Sequence, residues 1–448
     1  MSGIALDRAP GRAASLLVRG ARLVDPRTGL DGVADLLVRD GEIAAIGEVA
    51  DAPDGCEVVN AEGLAVFPAF VDPHVHLRTP GREDEEDIES GTRAAAAGGF
   101  CAILAMPNTD PVVDCAPVLR SLRERAREQA RVPVGFLAAI TVGQRGERLT
   151  EMAELAEAGA PGFTDDGLPV ASAGVLRLAL QYQRLCGGVL ALHEEDPALS
   201  AGGVMHEGRV SARLGMKGIP SISESTMIAR DAAIAGYEGG RIHVQHLSAR
   251  ESVEAVERAK AAGVQITAEV SPHHLCLTDE EVGRTLDTRF KMNPPLRAEE
   301  DRRALIEALR SGVIDCVATD HAPHSREEKE EPFETAPMGT TGLETAFAAI
   351  HTELVVPGVL PLELVVERMT AGGEPFGIPA PRLEVGAPAN LCLVDLEATW
   401  QVGEGGYESR SDNCAFDGRR LTGRVRMTVA AGAVAYRERS FAIQGVAS

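Results

Sequence analysis

Aromatic residues are scarce in this sequence, at 4% of 448 residues with a single Trp. Packing therefore falls to Ala, Val, Leu and Gly within a 44% hydrophobic composition, which suits a layered α/β core better than an aromatic-rich sandwich. Net positive charge is also lacking. Asp and Glu number 67 against 44 Lys and Arg, for a formal charge of −23. That balance excludes nucleic acid or an anionic membrane surface as the main partner, since both require basic patches. An anionic ligand would meet an opposing field and need a local cation in its site. No run approaches about 18 apolar residues, so no membrane span is expected. The opening stretch MSGIALDRAPGRAAS lacks the apolar core of a secretory signal. The eight Cys form no CxxC pair and no secretory framework. Cys101 and Cys316 lie inside apolar runs and read as small buried hydrophobes. These absences predict a cytoplasmic protein whose residues 1–13 form a disordered leader.

What is present divides into two patterns. Residues 14–63 and 384–448 consist of short strand-like runs separated by Gly and Asp turns, such as SLLVRGARLVD and GRVRMTVAAGAVAYRE. They predict one small composite β-sandwich domain built from both ends of the chain. Residues 64–383 alternate short apolar runs with Ala- and Leu-rich, charge-studded segments of helical length. The expected strands cover 64–71, 100–106, 133–140, 160–164, 188–193, 241–246, 264–270 and 314–319. Near-continuous apolar runs fit strands covered on both faces, and their eightfold count favours a (β/α)8 TIM barrel over an open sheet.

In such a barrel the chemistry sits at the carboxyl ends of the strands. Those ends here carry Asp72-Pro73-His74-Val75-His76, Asn108, Asp165-Asp166-Gly167, His193, His246, His273-His274 and Asp320-His321. Residues two apart on an extended segment face the same way, so His74 and His76 project together. Imidazole and carboxylate are the usual ligands of hydrolytic zinc. A lone strand-end His is more often a structural hydrogen-bonding residue, and Asp-Asp-Gly by itself reads as a turn. The coincidence of these residues at one end of consecutive strands is what points to a site for one or two ions. His273 and His274 fit no obvious need and are assigned a structural role. Arg78, two residues beyond the His pair, offers a planar fork for a carboxylate. Asn293-Pro294-Pro295 reads as a rigid extended turn. The acidic segment from Pro323 to Gly339 shows neither strand nor helix pattern and reads equally as a lid or a solvated loop.

The stretches DPHVHLRTPGREDEEDIESGTRAAAAGGF, AMPNTDPVVD, GFTDDGLPV, VQHLS, TAEVSPHHLCLTDEE, KMNPPLR, ATDHAPHSREEKE and GLETA run in one order from about Ala65 to Ala346. In them the chain resembles the bacterial class I dihydroorotases of the amidohydrolase superfamily. The resemblance implies one zinc on His74, His76 and Asp320 and a second on His193 and His246. An Asp of the Asp-Asp-Gly turn bridges the two. Strand alternation does not choose between Asp165 and Asp166, and the family spacing selects Asp166. The resemblance further implies that Arg78 and Asn108 bind the substrate carboxylate, while Asn293, His324, Met338 and Gly339 contact the ring. Asp320 is the implied proton carrier. The implied reaction is the reversible cyclisation of N-carbamoyl-L-aspartate to L-dihydroorotate in pyrimidine (UMP) synthesis. Related hydantoinases and dihydropyrimidinases bridge their metals with a carbamylated Lys, and no Lys lies near this turn. A non-catalytic homologue scaffolding aspartate transcarbamoylase would have lost ligands, and none is missing here. Oligomeric state, a homodimer included, and association with aspartate transcarbamoylase stay open. The family's His-Cys-Glu-Asp is His193-Glu194-Glu195-Asp196 here, its Asn-Pro-Ala is Gly373-Glu374-Pro375, and Met338 replaces a common Phe. None of these departures removes a ligand.

Overall fold

The computed structural model describes residues 4, 6–439, 441 and 444–446. The chain first lays down five strands, β1 (Leu16–Asp25), β2 (Leu30–Arg39), β3 (Glu42–Gly47), β4 (Glu57–Asn60) and β5 (Ala65–Pro68). The barrel strands follow: β6 (Phe70–Val75), β7 (Phe100–Ala105), β8 (Val134–Phe136), β9 (Phe163–Thr164) and β10 (Leu190–Leu192). A two-residue parallel ladder, β11 (Met205–His206) with β12 (Gly218–Ile219), interrupts the series. Then come β13 (Arg241–Val244), β14 (Gln265–Val270) and β15 (Cys316–Val317). The chain returns to the first sheet with β16 (Leu391–Gln401), β17 (Arg420–Ala430), β18 (Ala433–Arg437) and β19 (Gln444–Val446).

The parallel strands form a three-stranded sheet, β6-β7-β8, and a five-stranded sheet, β9-β10-β13-β14-β15. Parallel bridges Ala138↔Phe163 and Val75↔His321 join the two at both seams and close an eight-stranded barrel. Each strand leads to an outer helix: α1 (Ile88–Ala97), α2 (Ala116–Gln129), α3 (Met152–Glu157), α4 (Ala173–Cys186), α5 (Ile222–Glu238), α6 (Arg250–Ala261), α7 (Glu299–Ser311) and α8 (Leu362–Thr370). Local sequence explains their ends. Asp87 caps α1 by accepting from Ser90 N, and Glu299, Glu300 and Asp301 place negative charge at the N-terminus of α7.

The terminal strands make one nine-stranded sheet. Leu16, Val18, Leu36, Val38, Ile43, Val59, Val66, Leu391, Leu393, Met427 and Val429 meet in a common core, so the sheet folds over on itself as a sandwich. The alternate residues Val24, Ala65, Phe67, Cys392 and Val394 face the barrel core. Burial on both faces explains one departure from expectation. The run 64–71 reads as a single barrel strand, but it divides at Ala69. Ala65–Pro68 pairs with β1 and β16 in the sandwich, and Phe70–Val75 opens the barrel.

Two further expectations are corrected. The leader is ordered over the described part of residues 6–13. Asp7 exchanges backbone hydrogen bonds with Val134 and pairs with Arg123 and Arg127 at 2.6 and 2.8 Å. Residues 1–3 and 5 lie outside the described residues, as do 440, 442, 443, 447 and 448 of the composite domain. The Pro323–Gly339 segment contains a short helix, Arg326–Lys329, capped by Ser325. Among the described residues no helix is long and apolar enough to cross a membrane, and Cys101 and Cys316 are buried free thiols.

Candidate active site

The strand-end residues converge on one mouth of the barrel. Asp72 ties the first strand to the last: its carboxylate accepts from His74 N and Thr319 N at 3.1 Å and from Thr319 Oγ1 at 2.5 Å. This clamp places His74 and His76 beside Asp320. His76 Nε2 lies 3.2 Å and His74 Nε2 lies 3.4 Å from Asp320 Oδ1. Asp166 closes the cluster, with Oδ1 at 3.4 Å from His74 Nε2 and 3.5 Å from His246 Nε2. His193 Nδ1 lies 2.9 Å from His246 Nε2 and 3.8 Å from Asp166 Oδ1. His74, His76 and Asp320 form one compact ligand group, and His74, Asp166 and His246 another, each with donor atoms within 4.8 Å of one another.

Neighbouring acceptors set the ring orientations. His74 Nδ1 donates to Glu269 Oε1 at 2.7 Å, and His76 Nδ1 donates to Asn108 Oδ1 at 2.9 Å. His193 Nε2 faces Glu195 at 3.3 Å. In each ring the other nitrogen then presents its lone pair to the cluster, the tautomer a metal ligand requires. His74 Nε2 and Asp166 Oδ1 are buried without a hydrogen-bond partner. Two imidazole nitrogens 2.9 Å apart, as in His193 and His246, cannot both be neutral acceptors without a proton or a cation beside them. The donor set therefore fits a divalent ion of the zinc type.

Asp165 points elsewhere. It accepts from Thr141 N and Thr141 Oγ1 at 3.0 and 2.5 Å, and burial pushes its carboxyl up to about 6. Burial also opposes ionisation of Asp166 and Asp320. The imidazoles gathered around them, His74 foremost, outweigh it and hold both carboxylates well below the usual range. Three of the gathered residues have left-handed backbone: Arg78 (φ 53°), His246 (φ 34°) and Asp320 (φ 48°). Such strain in non-glycine residues clusters at functional sites.

A cavity of about 290 Å³ opens above the cluster, and Arg78, Asn108, Asn293, His324, Met338 and Gly339 line its wall. Arg78 Nε donates to Pro323 O at 2.9 Å. Asn293 Nδ2 donates to Glu195 at 2.7 Å, and its Oδ1 is buried without a partner. His324 Nε2 lies 2.9 Å from the Met338 carbonyl. Gly339 has φ 148°, and a Cβ there would lie 2.9 Å from Ala322 and from His324, so only glycine fits this close approach. His274 Nε2 donates to Pro294 O at 3.0 Å and so braces the Asn293 turn.

Three residues that sequence reasoning passes over support the site. Glu269 accepts from His74 Nδ1, from His246 N at 3.2 Å and from His243 Nε2 at 2.9 Å. Glu85 is buried beside Arg78 and His324. Asn413, on the excursion between β16 and β17, accepts from His324 N and donates to Ala322 O and Gly339 O at 3.1 to 3.2 Å. A mid-strand Glu and an Asn in a β-rich tail carry no local signal of these roles.

A family model described as dihydro-orotase-like matches residues 63–252. The chain is 45% identical over 425 residues to a dihydroorotase of Anaeromyxobacter dehalogenans, covering 94% of this chain and 98% of that protein. It is 46% identical to a dihydroorotase of Pelotomaculum thermopropionicum, covering 95% and 99%. Among solved structures it is similar to an L-hydantoinase (dihydropyrimidinase) from Arthrobacter aurescens, with TM-score 0.84 and 28% identity over 95% of this chain and 96% of that one. A dihydropyrimidinase from Brevibacillus agri shares the fold at TM-score 0.83 and 22% identity, covering 97% of both chains.

Proposed function

The chain belongs to the dihydroorotase family of cyclic-amide hydrolases, and from that premise we propose that its pocket interconverts L-dihydroorotate and N-carbamoyl-L-aspartate in de novo pyrimidine synthesis in the cytoplasm. His74, His76 and Asp320 would hold one zinc, His193 and His246 a second, with Asp166 between them. Zinc, when bound, supplies Lewis acidity toward a water and toward the amide carbonyl oxygen.

The protein's own groups do the rest. Arg78 and the Nδ2 of Asn108 receive the substrate carboxylate. The unpartnered Oδ1 of Asn293 accepts from a ring N–H. His324 and the Met338–Gly339 backbone border the ring's other edge. Asp320, held ionised, takes the proton from the attacking water as the C–O bond forms. It delivers that proton to the ring nitrogen as the C–N bond breaks, so atoms and charge balance. In the reverse direction the same carboxylate returns the proton and water leaves.

One observation carries the reading: a His/Asp cluster able to hold a metal ion and a buried Arg line the same cavity. The cluster suits amide hydrolysis, and the Arg suits a ring bearing a carboxylate. Purified protein should turn over L-dihydroorotate and carbamoyl-aspartate, carry zinc in the same sample, and act poorly on hydantoin. Turnover of hydantoin in preference to dihydroorotate would overturn the assignment.

A further inference from the structure

The fate of Arg78 poses a physical problem. Its side chain is only 14% exposed, so its charge needs a counter-ion inside the protein. A free guanidinium could also turn any of its edges to the cavity. Glu85 answers both needs. Its side chain is 2% exposed, and Oε2 lies 3.2 Å from Arg78 Nε. Its other oxygen lies 3.0 Å from Arg82 Nη2 and 3.3 Å from His324 Nδ1. Short backbone turns, Arg82 N to Arg78 O at 2.9 Å and Glu85 N to Arg82 O at 3.0 Å, fold the segment back so that Glu85 returns to Arg78. Ser411 Oγ, from the β16–β17 excursion, fixes the Glu85 carbonyl at 2.7 Å.

The contacts divide the guanidinium into two sides. Nε is committed to Pro323 O and Glu85, and Nη2 lies 3.3 Å from His324 Nε2. Nη1 has no hydrogen-bond partner among the described residues. Glu328 is a weaker candidate for the same role: its side chain is 33% exposed and is drawn to Arg82 at 2.8 Å.

The geometry points to Glu85 as a positioning residue for substrate recognition: it pins the Nε edge of Arg78 and the Nδ1 of His324 together, so that the Nη end of Arg78 meets the substrate carboxylate end-on. This inference rests on the carboxylate-binding role of Arg78 proposed above. Glu85 touches neither the substrate nor the metal cluster, so it governs binding rather than the chemical step.

The test uses the zinc-loaded full chain and five proteins: wild type, Glu85→Gln, Glu85→Asp, Arg78→Lys and the Glu85→Gln, Arg78→Lys double variant. Glu85→Gln should raise KM for L-dihydroorotate and Ki for orotate about tenfold, with kcat within about threefold, the size of one charge-assisted contact. In the Arg78→Lys background the same change should add less than about twofold, because the contact it supports is already gone. Glu85→Asp keeps the charge but shortens the reach, so it should also raise KM. It serves as the second probe if Glu85→Gln does not fold. Wild-type KM in either folded variant, a loss confined to kcat, or a full tenfold effect in the Arg78→Lys background would overturn the inference. A wild-type protein with no dihydroorotate turnover would overturn the functional reading and the inference together, so the two failures are distinguishable.

Discussion

Asp320 and Glu269 stand on opposite sides of His74 and have separable effects. Asp320 lies on the cavity side, where its ionised carboxylate can exchange a proton with substrate and still pair with the cluster. Asp320→Asn keeps the shape and removes the basic oxygen. The expected outcome is a fall in kcat of about 10³-fold, with thermal stability near wild type, measured on protein whose zinc content matches wild type. Near-normal turnover in such a protein would remove Asp320 from the proton path. Glu269 lies behind His74 and does not itself line the cavity. Burial opposes its ionisation, yet its contacts with His74 and His243 bring its carboxyl down to about 2. Glu269→Gln weakens its hold on His74 Nδ1 and His243 at once. Zinc affinity should drop about 10- to 100-fold, read by competition with a chromogenic chelator. An unchanged affinity would show that His74 needs no carboxylate to orient it. The convergence of the His and Asp side chains at one mouth was legible in the sequence because each ends an apolar strand and His74 and His76 share its period-two face. Glu269 was not, because its partner His74 is 195 residues away across the barrel and nothing in VQITAEV marks which side chain faces inward.

At the scale of elements, the excursion between β16 and β17 does more than join two strands. Val402, Cys414, Ala415 and Phe416 pack with Met292 and Leu296 of the barrel, and Asn413 holds the backbone on either side of His324. Sequence patterning places the residues beyond 384 in a separate β module, and by pattern alone they belong there. Their contact with the active site depends on a chain reversal that periodicity does not encode. The run 64–71 is missed for a related reason. A strand buried on both faces looks the same whether it belongs to a barrel or to a sandwich packed on one. The excursion has a tether with a pH signature. Glu344 accepts from Glu408 N and Ser409 N at 3.0 to 3.1 Å, and burial, with Glu408 and Glu86 nearby, pushes its carboxyl up to about 7. Below pH 4.5 this group is protonated in both folded and unfolded chains and has no net effect. Between pH 4.5 and 7 the unfolded chain ionises it first, so stability falls as pH rises; above pH 7 the penalty is complete. Glu344→Gln should flatten that part of the curve and raise the melting temperature at pH 8 relative to wild type. Calorimetric scans across pH 5 to 8 that superimpose for the two proteins would rule out Glu344 as the source.

For the whole molecule the governing quantity is its charge of −23 acting on an anionic substrate. Basic side chains near the mouth are offset at close range, Arg82 by Glu85 and Glu328, Arg326 by Asp412, and Arg410 by Asp87. Arg78 is buried in the cavity wall, and in its proposed role it acts only once substrate arrives. The long-range field therefore opposes association, and the clamp gains its effect at contact distance, where the low dielectric strengthens it. The placement of a cation in the cavity was legible from composition and motif together: the charge balance called for a local cation, and Arg78 stood two residues beyond the His pair. Screening tests it directly. Raising ionic strength from about 10 mM to about 150 mM shortens the Debye length from about 30 Å to about 8 Å. Repulsion across the approach path should then fade, while contacts inside the cavity change little. The expected outcome is a rise of a few-fold in kcat/KM for carbamoyl-aspartate, with kcat unchanged, measured from initial rates at constant zinc. A fall in kcat/KM with salt would mean instead that the local potential around Arg78 reaches beyond the mouth and draws the anion in against the net charge of the chain.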